Sequence, residues 1–321
     1  MDDHGLADLL RGIQLDGVFY CPSYLTEPWG VSLPPMDDCI WFHVVTRGNG
    51  TLTVDGAEPI RFSAGDLVLV PHGTGHRAWG DEAAPTPDVT RLPHDSLSDR
   101  YGVLRHGGGG PRTDLVCGGV RLDHPAARTL LATLPRIIHL HADRVPRRSW
   151  LRSTLDLIED EAREGRAGSD AIISRLCDII VMQAIRTWVE TDPAGRTGWL
   201  GALRDERIGR SLSAIHHDPG ADWSVEALAE EATMSRSAFA ARFSELVGEP
   251  AMRYVTRWRM QVAHDLLTRG DVTVAAAGQQ VGYVGEAAFS RAFKREFGES
   301  PGAVARRRPE PTTPLSGLVP A

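Results

Sequence analysis

Three basic side chains at helical spacing lie near the C-terminus of this chain. Arg291, Lys294 and Arg295 fall among phenylalanines that recur every four residues from 289 to 297. That spacing puts the three rings on one side of a helix and leaves the basic groups on the other side. Arginine and lysine donate hydrogen bonds to phosphate oxygens, and arginine also pairs with the edge of guanine. The segment is therefore predicted to be a helix that contacts nucleic acid.

The residues around this helix predict how it is positioned. The segment 281–283, Val-Gly-Tyr, closes a short helix and makes a glycine turn, and the next helix begins near Glu286. Gly298 accepts the left-handed conformation that ends a helix, and Pro301 prevents its continuation. A short helix, a tight turn and a second helix with an apolar back form a helix-turn-helix unit.

A similar unit precedes this one in the chain. Ser224 can cap a helix over 225–232, and Ser235 can cap a second helix over 236–247. Two phenylalanines four residues apart again fall on one side of that second helix. The C-terminal region is therefore predicted to be all-helical, with two exposed reading helices.

Residues 205–308 resemble the DNA-binding domain of the AraC/XylS family of bacterial transcription regulators, which contains two helix-turn-helix units. The segment GYVGEAAFSRAFKREFGESP carries the resemblance, as a close variant of that family's signature. The resemblance implies that a linker helix over 251–268 holds both reading helices in consecutive major-groove segments, about 34 Å apart. The residues that the resemblance and the outward helix faces place against DNA are Arg236, Ser237, Ala240, Ala241, Glu286, Ala287, Ala288, Arg291, Lys294 and Arg295.

The N-terminal half carries histidines at positions that suggest a binding site. Short apolar strands alternate with glycine turns from residue 40 to 79, which predicts a small antiparallel barrel. GDLVLVPHGTGH resembles the second motif of the cupin barrel and ends at His76. His43 lies two residues beyond Trp41, so both share one face of a strand. We predict an effector pocket formed by Trp41, His43 and His76.

The resemblance also raises the question of a metal. Cupin enzymes use two histidines and a glutamate of the first motif, but Trp41 occupies the glutamate position here. A metal-free pocket is therefore favoured and no cofactor is predicted. The open alternative is a divalent metal held by His43 and His76, with His72 or Cys39 added. A cupin metalloenzyme, either a dioxygenase or an isomerase with a helical tail, is the competing function.

The cysteines allow two interpretations. The chain has 4 cysteines and no C-x-x-C pair, which excludes a zinc ribbon or a secreted disulfide framework. In the branch of the family with a cupin-like sensing domain, some members respond to reactive chlorine or other oxidants through cysteines. Cys21 and Cys117 lie at positions resembling those sensors. They are either redox-active or simply small buried apolar residues.

The remaining segments complete an α+β organisation. Residues 82–111 are rich in Pro, Gly, Asp and His and are predicted to be a mobile loop, while His139 and His141 form an H-x-H pair that we interpret as accidental. Helical spacing between 150 and 188 indicates two amphipathic helices, which form either a dimer contact or an internal core. The predicted domains are a barrel over 1–122, a helical connector over 123–191, a linker over 192–204, the DNA-binding domain over 205–308 and a disordered tail over 309–321.

Charge and composition fit this interpretation. The net charge is −7. Residues 222–308 carry 12 Arg and Lys against 11 Asp and Glu, so the acidity belongs to the rest of the chain. No signal peptide and no membrane span are predicted, and the expected location is the cytoplasm. We predict a sequence-specific transcription regulator controlled by a small molecule or an oxidant. Its expected partners are a double-stranded DNA operator, an unknown effector, RNA polymerase if it is an activator, and a second copy in a homodimer.

Overall fold

The computed structural model describes residues 15–36, 39–98, 100–122, 130–131, 133–142, 149–164, 166–270 and 272–307. Two compact units are formed. One combines residues 15–123 with 134–191, and the other consists mainly of residues 192–312. The tail predicted at 309–321 lies outside the described residues.

The first unit contains two β-sheets. Their strands are β1 (Leu15–Thr26), β2 (Gly30–Leu33), β3 (Cys39–Arg47), β4 (Asn49–Val54), β5 (Ile60–Ser63), β6 (Leu67–Val70), β7 (His76–Trp79), β8 (His94–Ser98), β9 (Tyr101–Gly107), β10 (Arg112–Leu122) and β11 (Ile138–Leu140). The strand order is β11-β6-β3-β10-β1-β9-β8 in the larger sheet and β2-β7-β4-β5 in the smaller one. The predicted β-rich N-terminal domain is confirmed.

Side chains from both sheets form one apolar core. Strand β3 is buried from Cys39 to Val45 because both of its faces are covered. Trp41 and Val45 belong to the core cluster that also contains Leu52 of the smaller sheet. A continuous apolar run, instead of strict alternation, is what a strand covered on both faces requires.

Two helices follow the sheets and belong to the same unit. They are α1 (Ser149–Glu164) and α2 (Ser169–Thr191), which pack on each other, and α2 also packs on β1. The helices predicted between 150 and 188 therefore form, but they complete the β-rich unit instead of standing as a separate connector. Three of their apolar side chains, Leu157, Ile172 and Ile179, remain exposed.

Residues 82–111, predicted to be a mobile loop, contain regular structure. A short 3₁₀ helix spans Val89–Arg91, and strands β8 and β9 follow it. Strand β9 runs parallel to β1, and its Tyr101 and Leu104 are buried in the sheet. The Gly- and Pro-rich composition reflects the turns around these strands, and it gave no indication of the two buried positions.

The second unit is entirely helical in its described part. Its helices are α3 (Gly198–Arg204), α4 (Glu206–His217), α5 (Val225–Glu231), α6 (Arg236–Val247), α7 (Ala251–Arg269), α8 (Val274–Gln280), α9 (Glu286–Phe297) and α10 (Pro301–Arg306). Ser224 and Ser235 cap α5 and α6 as predicted. Gly298 ends α9 with a φ of 77°, in the left-handed conformation predicted for it.

The segment 192–204 differs from the predicted linker. A 3₁₀ helix spans Pro193–Arg196, and α3 buries Trp199, Leu200 and Leu203. The indole Nε1 of Trp199 donates a hydrogen bond to the hydroxyl of Tyr254, at 2.8 Å. Proline and glycine here start two short helices and do not make a flexible connection.

Among the residues that the structure describes, no helix has the length and apolar character needed to cross a bilayer.

Candidate functional site

The first candidate site is a cavity inside the barrel. Trp41 and His43 of β3 line it, together with Cys21 of β1 and Cys117 of β10. The cavity measures about 30 Å³ and its walls are almost entirely apolar. Two sites that the sequence suggested separately, the effector pocket and the cysteine pair, therefore share one cavity.

His76, the third residue of the predicted pocket, lies behind His43 and is hydrogen-bonded to it. It begins β7, directly after a turn that contains Gly73. Gly73 has a φ of 58°, and a Cβ added there would lie 1.8 Å from the carbonyl oxygen of Met36. Only glycine fits that turn, and the turn directs His76 into the barrel.

A chain of hydrogen bonds joins the two histidines to a cysteine. His76 Nδ1 lies 3.2 Å from the carbonyl oxygen of Thr74, which can only accept, so this nitrogen carries the proton. His76 Nε2 then accepts from His43 Nε2, at 2.8 Å. His43 Nδ1 is left as the acceptor for the thiol of Cys117, whose sulfur lies 3.1 Å away. Every proton in the chain therefore has a defined position when both rings are neutral.

Burial keeps all of these groups uncharged. It lowers the pKa of His76 to about 4, and burial together with His76 holds the pKa of His43 well below its usual value. Burial raises the pKa of Cys21 to about 11. The pKa of Cys117 is also raised by burial, with a smaller contribution from Cys21. Both thiols are therefore protonated and both imidazoles neutral at pH 7.

The donor set does not fit a cupin metal centre. The Nε2 atoms of His43 and His76 face each other at hydrogen-bond distance. The proposed additional ligands lie elsewhere, since Cys39 Sγ contacts the carbonyl of Ile40 and His72 Nε2 contacts the carbonyl of Leu134. Within the described part of the chain, no third His, Cys, Asp or Glu completes a metal-binding group with this pair. Structural and catalytic zinc sites require at least three protein ligands.

Cys21 and Cys117 lie opposite each other on adjacent strands. They are paired positions of the antiparallel strands β1 and β10, and both are free thiols. Paired residues in antiparallel strands have Cα atoms about 4.5–5.5 Å apart, which falls within the range of disulfides. The hydroxyl of Ser23 lies 3.8 Å from one sulfur and 3.9 Å from the other. A disulfide between these cysteines is therefore compatible with the backbone.

The cavity also contains polar atoms that sequence reasoning missed. Trp41 Nε1 and His94 Nε2 are buried and have no hydrogen-bond partner among the described residues. His94 Nδ1 faces the carbonyl oxygen of Leu92 at 2.8 Å, so its Nε2 is an acceptor in the neutral ring. The sequence did not point to His94, because it lies in the segment 82–111, which was predicted to be a loop. Trp41 and His94 both line the cavity, so its lining includes one donor and one acceptor that are unpaired among the described residues.

The second candidate site is the exposed surface of α6 and α9. Each helix buries two phenylalanines, Phe239 and Phe243 in α6 and Phe289 and Phe293 in α9. All ten residues predicted to face DNA are exposed: Arg236, Ser237, Ala240, Ala241, Glu286, Ala287, Ala288, Arg291, Lys294 and Arg295. Arg236 forms an ion pair with Glu226 at 2.8 Å. The aromatic stripe of each helix therefore faces the core and leaves the opposite side open to a ligand.

Two arginines of α7 pack against neighbouring segments of the helical unit. Arg257 forms a 2.6 Å ion pair with Glu249. Arg259 donates to the carbonyl oxygens of Pro219 and Ala221, at 2.7 and 2.6 Å. The Arg259 contacts fix α7 against the turn between α4 and α5, and the Arg257 ion pair fixes it to the turn between α6 and α7. Both help to hold the two reading helices in place.

Comparisons with known proteins match both parts of the chain. Residues 5–190 match the family described as Cupin, and residues 228–307 match the family described as Helix-turn-helix domain. A Streptomyces lividans protein named as an AraC-like transcription regulator is 34% identical, with 85% of this chain and 88% of that protein covered. The Acinetobacter baylyi "HTH-type transcriptional regulator AlkR" is 32% identical, with 82% and 87% covered. The Escherichia coli K12 "RCS-specific HTH-type transcriptional activator RclR" is 29% identical, with 84% of each chain covered.

Proposed function

We infer, since the chain belongs to the AraC family of transcription regulators with an N-terminal cupin domain, that one polypeptide reads two consecutive major-groove segments. The observation that supports this most directly is the matched pair of helices α6 and α9. Each one buries an aromatic stripe and exposes the opposite face over its first turns. An α-helix enters the major groove with such a face, and the residues of its N-terminal part contact the bases.

The two helices offer different contacts. On α9, Arg291 donates to the O6 and N7 of guanine, and Glu286 accepts from the N4 of cytosine. On α6, Ala240 and Ala241 present methyl groups suited to the methyl group of thymine. Lys294 pairs with a phosphate and positions the unit without reading sequence.

The cupin domain is the sensor in this proposal, and its effector binds in the barrel cavity. Apolar walls and one donor and one acceptor, from Trp41 and His94, suit a small apolar molecule with a single hydroxyl or carboxyl group. Pockets for ordinary small-molecule ligands measure about 300–1,000 Å³. Because the cavity measures only about 30 Å³, such an effector must displace side chains to enter. That displacement is the conformational signal.

Oxidation of the cysteine pair is the second candidate signal, and the pairing of Cys21 with Cys117 across β1 and β10 favours it. A two-electron oxidant would convert the two thiols to a disulfide and release two protons. His43 is placed to accept the proton of Cys117. The relative from Escherichia coli is named as an RCS-specific activator. A small oxidant also fits the cavity without the opening that a larger effector needs.

The finer aspects of function follow from these assignments. The barrel acts as a binding module and not as an enzyme, because no third metal ligand joins its histidine pair among the described residues. The exposed Leu157, Ile172 and Ile179 of α1 and α2 offer an apolar contact for a second copy. If the regulator activates transcription, it also contacts RNA polymerase. We place its action in the cytoplasm, where the bacterial chromosome lies.

The DNA assignment is tested by selecting bound sequences from a random pool with the full-length protein. We expect one enriched sequence with two elements about 10 base pairs apart. No enrichment over bulk competitor DNA would contradict the proposal.

The two signals are separated by measuring operator binding with and without a two-electron oxidant. If oxidation is the signal, Cys117→Ser and Cys21→Ser each abolish the response. Ser174→Ala lies outside the cavity and serves as the control. A response that persists in both cysteine variants assigns the signal to a bound effector.

A further inference from the structure

A second cluster of ligand-type side chains lies outside the barrel cavity. It consists of Asp66, His139 and His141, whose ligand atoms all lie within 4.8 Å of one another. His139 Nε2 lies 2.9 Å from Asp66 Oδ2, and the centroids of the two imidazole rings are 3.9 Å apart. Among the described residues this is the group of three or more such side chains that could hold a metal ion.

Strand pairing explains why the three residues meet. Strand β11 is the edge strand of the larger sheet and pairs with β6, with His139 opposite Val68 and Leu140 opposite Leu67. His139 and His141 are two residues apart and so lie on the same side of the chain. Asp66 immediately precedes β6 and therefore lies beside the end of β11.

The carboxylate is already held in place by the backbone. Asp66 is buried, its Oδ1 accepts from the amide of Ala142 at 2.9 Å, and its Oδ2 accepts from the amide of Ser63 at 3.0 Å. Such hydrogen bonds to a ligating carboxylate are the outer contacts that orient metal ligands. This anchor needs neither histidine ring. His141 is exposed, and its ring lies against that of His139.

We propose that Asp66, His139 and His141 form a binding site for a divalent transition metal of the zinc type. Two imidazoles and one carboxylate are a donor set that Zn²⁺ accepts, with a fourth position left to water or another ligand. Tetrahedral zinc holds neighbouring nitrogen and oxygen ligands about 3.4 Å apart, so the His139–Asp66 contact must widen by about 0.5 Å. The exposed ring of His141 supplies the third ligand by a side-chain rotation.

The site is distinct from the position of the cupin metal. The cupin position lies inside the barrel at His43 and His76, whereas this cluster lies at the edge of the sheet, where β11 ends. A bound metal would fasten the end of β11 to the turn before β6. The two ends of that link, Asp66 and His139, are 73 residues apart in the chain.

The test is titration of the full-length protein with Zn²⁺ by calorimetry, with Co²⁺ as the spectroscopic probe. We expect about one equivalent of Zn²⁺ and the visible d–d absorption of Co²⁺ in a tetrahedral site. Loss of an outer contact alone weakens metal binding about 10–100-fold, so His141→Ala, which removes a ligand, should weaken it at least 100-fold.

One variant serves as the control. His217→Ala removes an exposed histidine of the helical unit and should leave the titration unchanged. Absence of Zn²⁺ binding, or an unchanged titration in His141→Ala, would each overturn the proposal. Because His141 is exposed, its replacement does not disturb folding.

Discussion

Burial sets the charge state of every titratable side chain in the barrel cavity. His43, His76 and Cys117 are all buried, and their hydrogen bonds run in one direction from the thiol to the carbonyl of Thr74. Low exposure disfavours the charged form of each group, so acids become weaker and bases become weaker. A protonated Cys117 reacts slowly by itself. Its reactivity depends on whether His43 can take the proton when an oxidant arrives.

The pH dependence of stability follows from the same burial. The pKa of His76 falls from an ordinary value of 6.5 to about 4 on folding. Below pH 6.5 the unfolded chain binds a proton that the native barrel does not, so the stabilisation present above pH 6.5 is lost as the pH falls towards 4. We expect the free energy of unfolding to drop by roughly 2 kcal/mol between pH 7 and pH 5 from this residue. Urea unfolding at each pH measures it.

The matched comparison for this prediction is His76→Gln. This variant cannot titrate, so its stability should change less between pH 7 and pH 5 than that of the native protein. His217→Gln, at an exposed position, should keep the native pH dependence. An equal loss of stability in the native protein and in His76→Gln would show that His76 is not responsible.

On the DNA-facing side, Arg291 is the residue from which we expect the largest contribution to specificity. Its side chain is exposed on α9, opposite the buried Phe289 and Phe293. Arg291→Ala should cost roughly 1–3 kcal/mol on the cognate operator and relax the preference at one base pair. Fluorescence anisotropy with the operator and its single-base variants measures both effects. Unchanged affinity would remove Arg291 from the set of base-reading residues.

Lys294, one turn further along α9, is the matched control for a phosphate contact. Lys294→Ala should weaken binding to cognate and random DNA alike, and it should reduce the slope of log K against log salt by about 1. A loss confined to the cognate sequence would instead make Lys294 a base-reading residue.

At the scale of helices and strands, local signals predicted the helix-turn-helix units well. The serine caps, the glycine at the end of α9 and the four-residue spacing of phenylalanines are all properties of neighbouring residues. The segments 82–111 and 192–204 were misread for the opposite reason. Strand β9 is stabilised by pairing with β1, and α3 is stabilised by burying Trp199 against α7, so long-range contacts decide both.

The role of α3 leads to a prediction about where the DNA-binding unit begins. A fragment of residues 192–321 should fold and bind the operator. A fragment of residues 205–321 lacks the buried Trp199, Leu200 and Leu203. Since burying one such apolar side chain contributes about 1.5–3 kcal/mol, the shorter fragment should be less stable by at least about 3 kcal/mol. Thermal unfolding, monitored by circular dichroism, compares the stability of the two fragments. Equal stability would show that residues 192–204 are a linker.

The barrel cavity shows which features of a binding site can be predicted from the sequence. Trp41, His43 and the two cysteines were found because they lie in or near recognisable strands and motifs. Their convergence on one cavity was not foreseen, because it depends on the register that places Cys21 opposite Cys117 and Cys117 opposite His43. Strand register is fixed by the whole sheet and cannot be read from one segment.

For the whole molecule, the distance between the two reading helices is fixed by one chain. Helix α7, held by Arg257 and Arg259, connects the two helix-turn-helix units. Inserting five base pairs between the two elements of the operator rotates one element by about half a turn of DNA. We therefore expect affinity to fall to that of a single element, as measured by gel shift. Retained affinity would mean that the units move independently.

The two reading surfaces also differ in composition. Helix α6 presents Arg236, Ser237 and a pair of alanines, whereas α9 presents Glu286, two alanines and Arg291. A sequence matched to them has no twofold symmetry, unlike the palindromes bound by symmetric dimers. The protein therefore binds its site in one defined orientation. Inverting that site in a promoter would keep the affinity and turn the opposite flank of the regulator towards the gene.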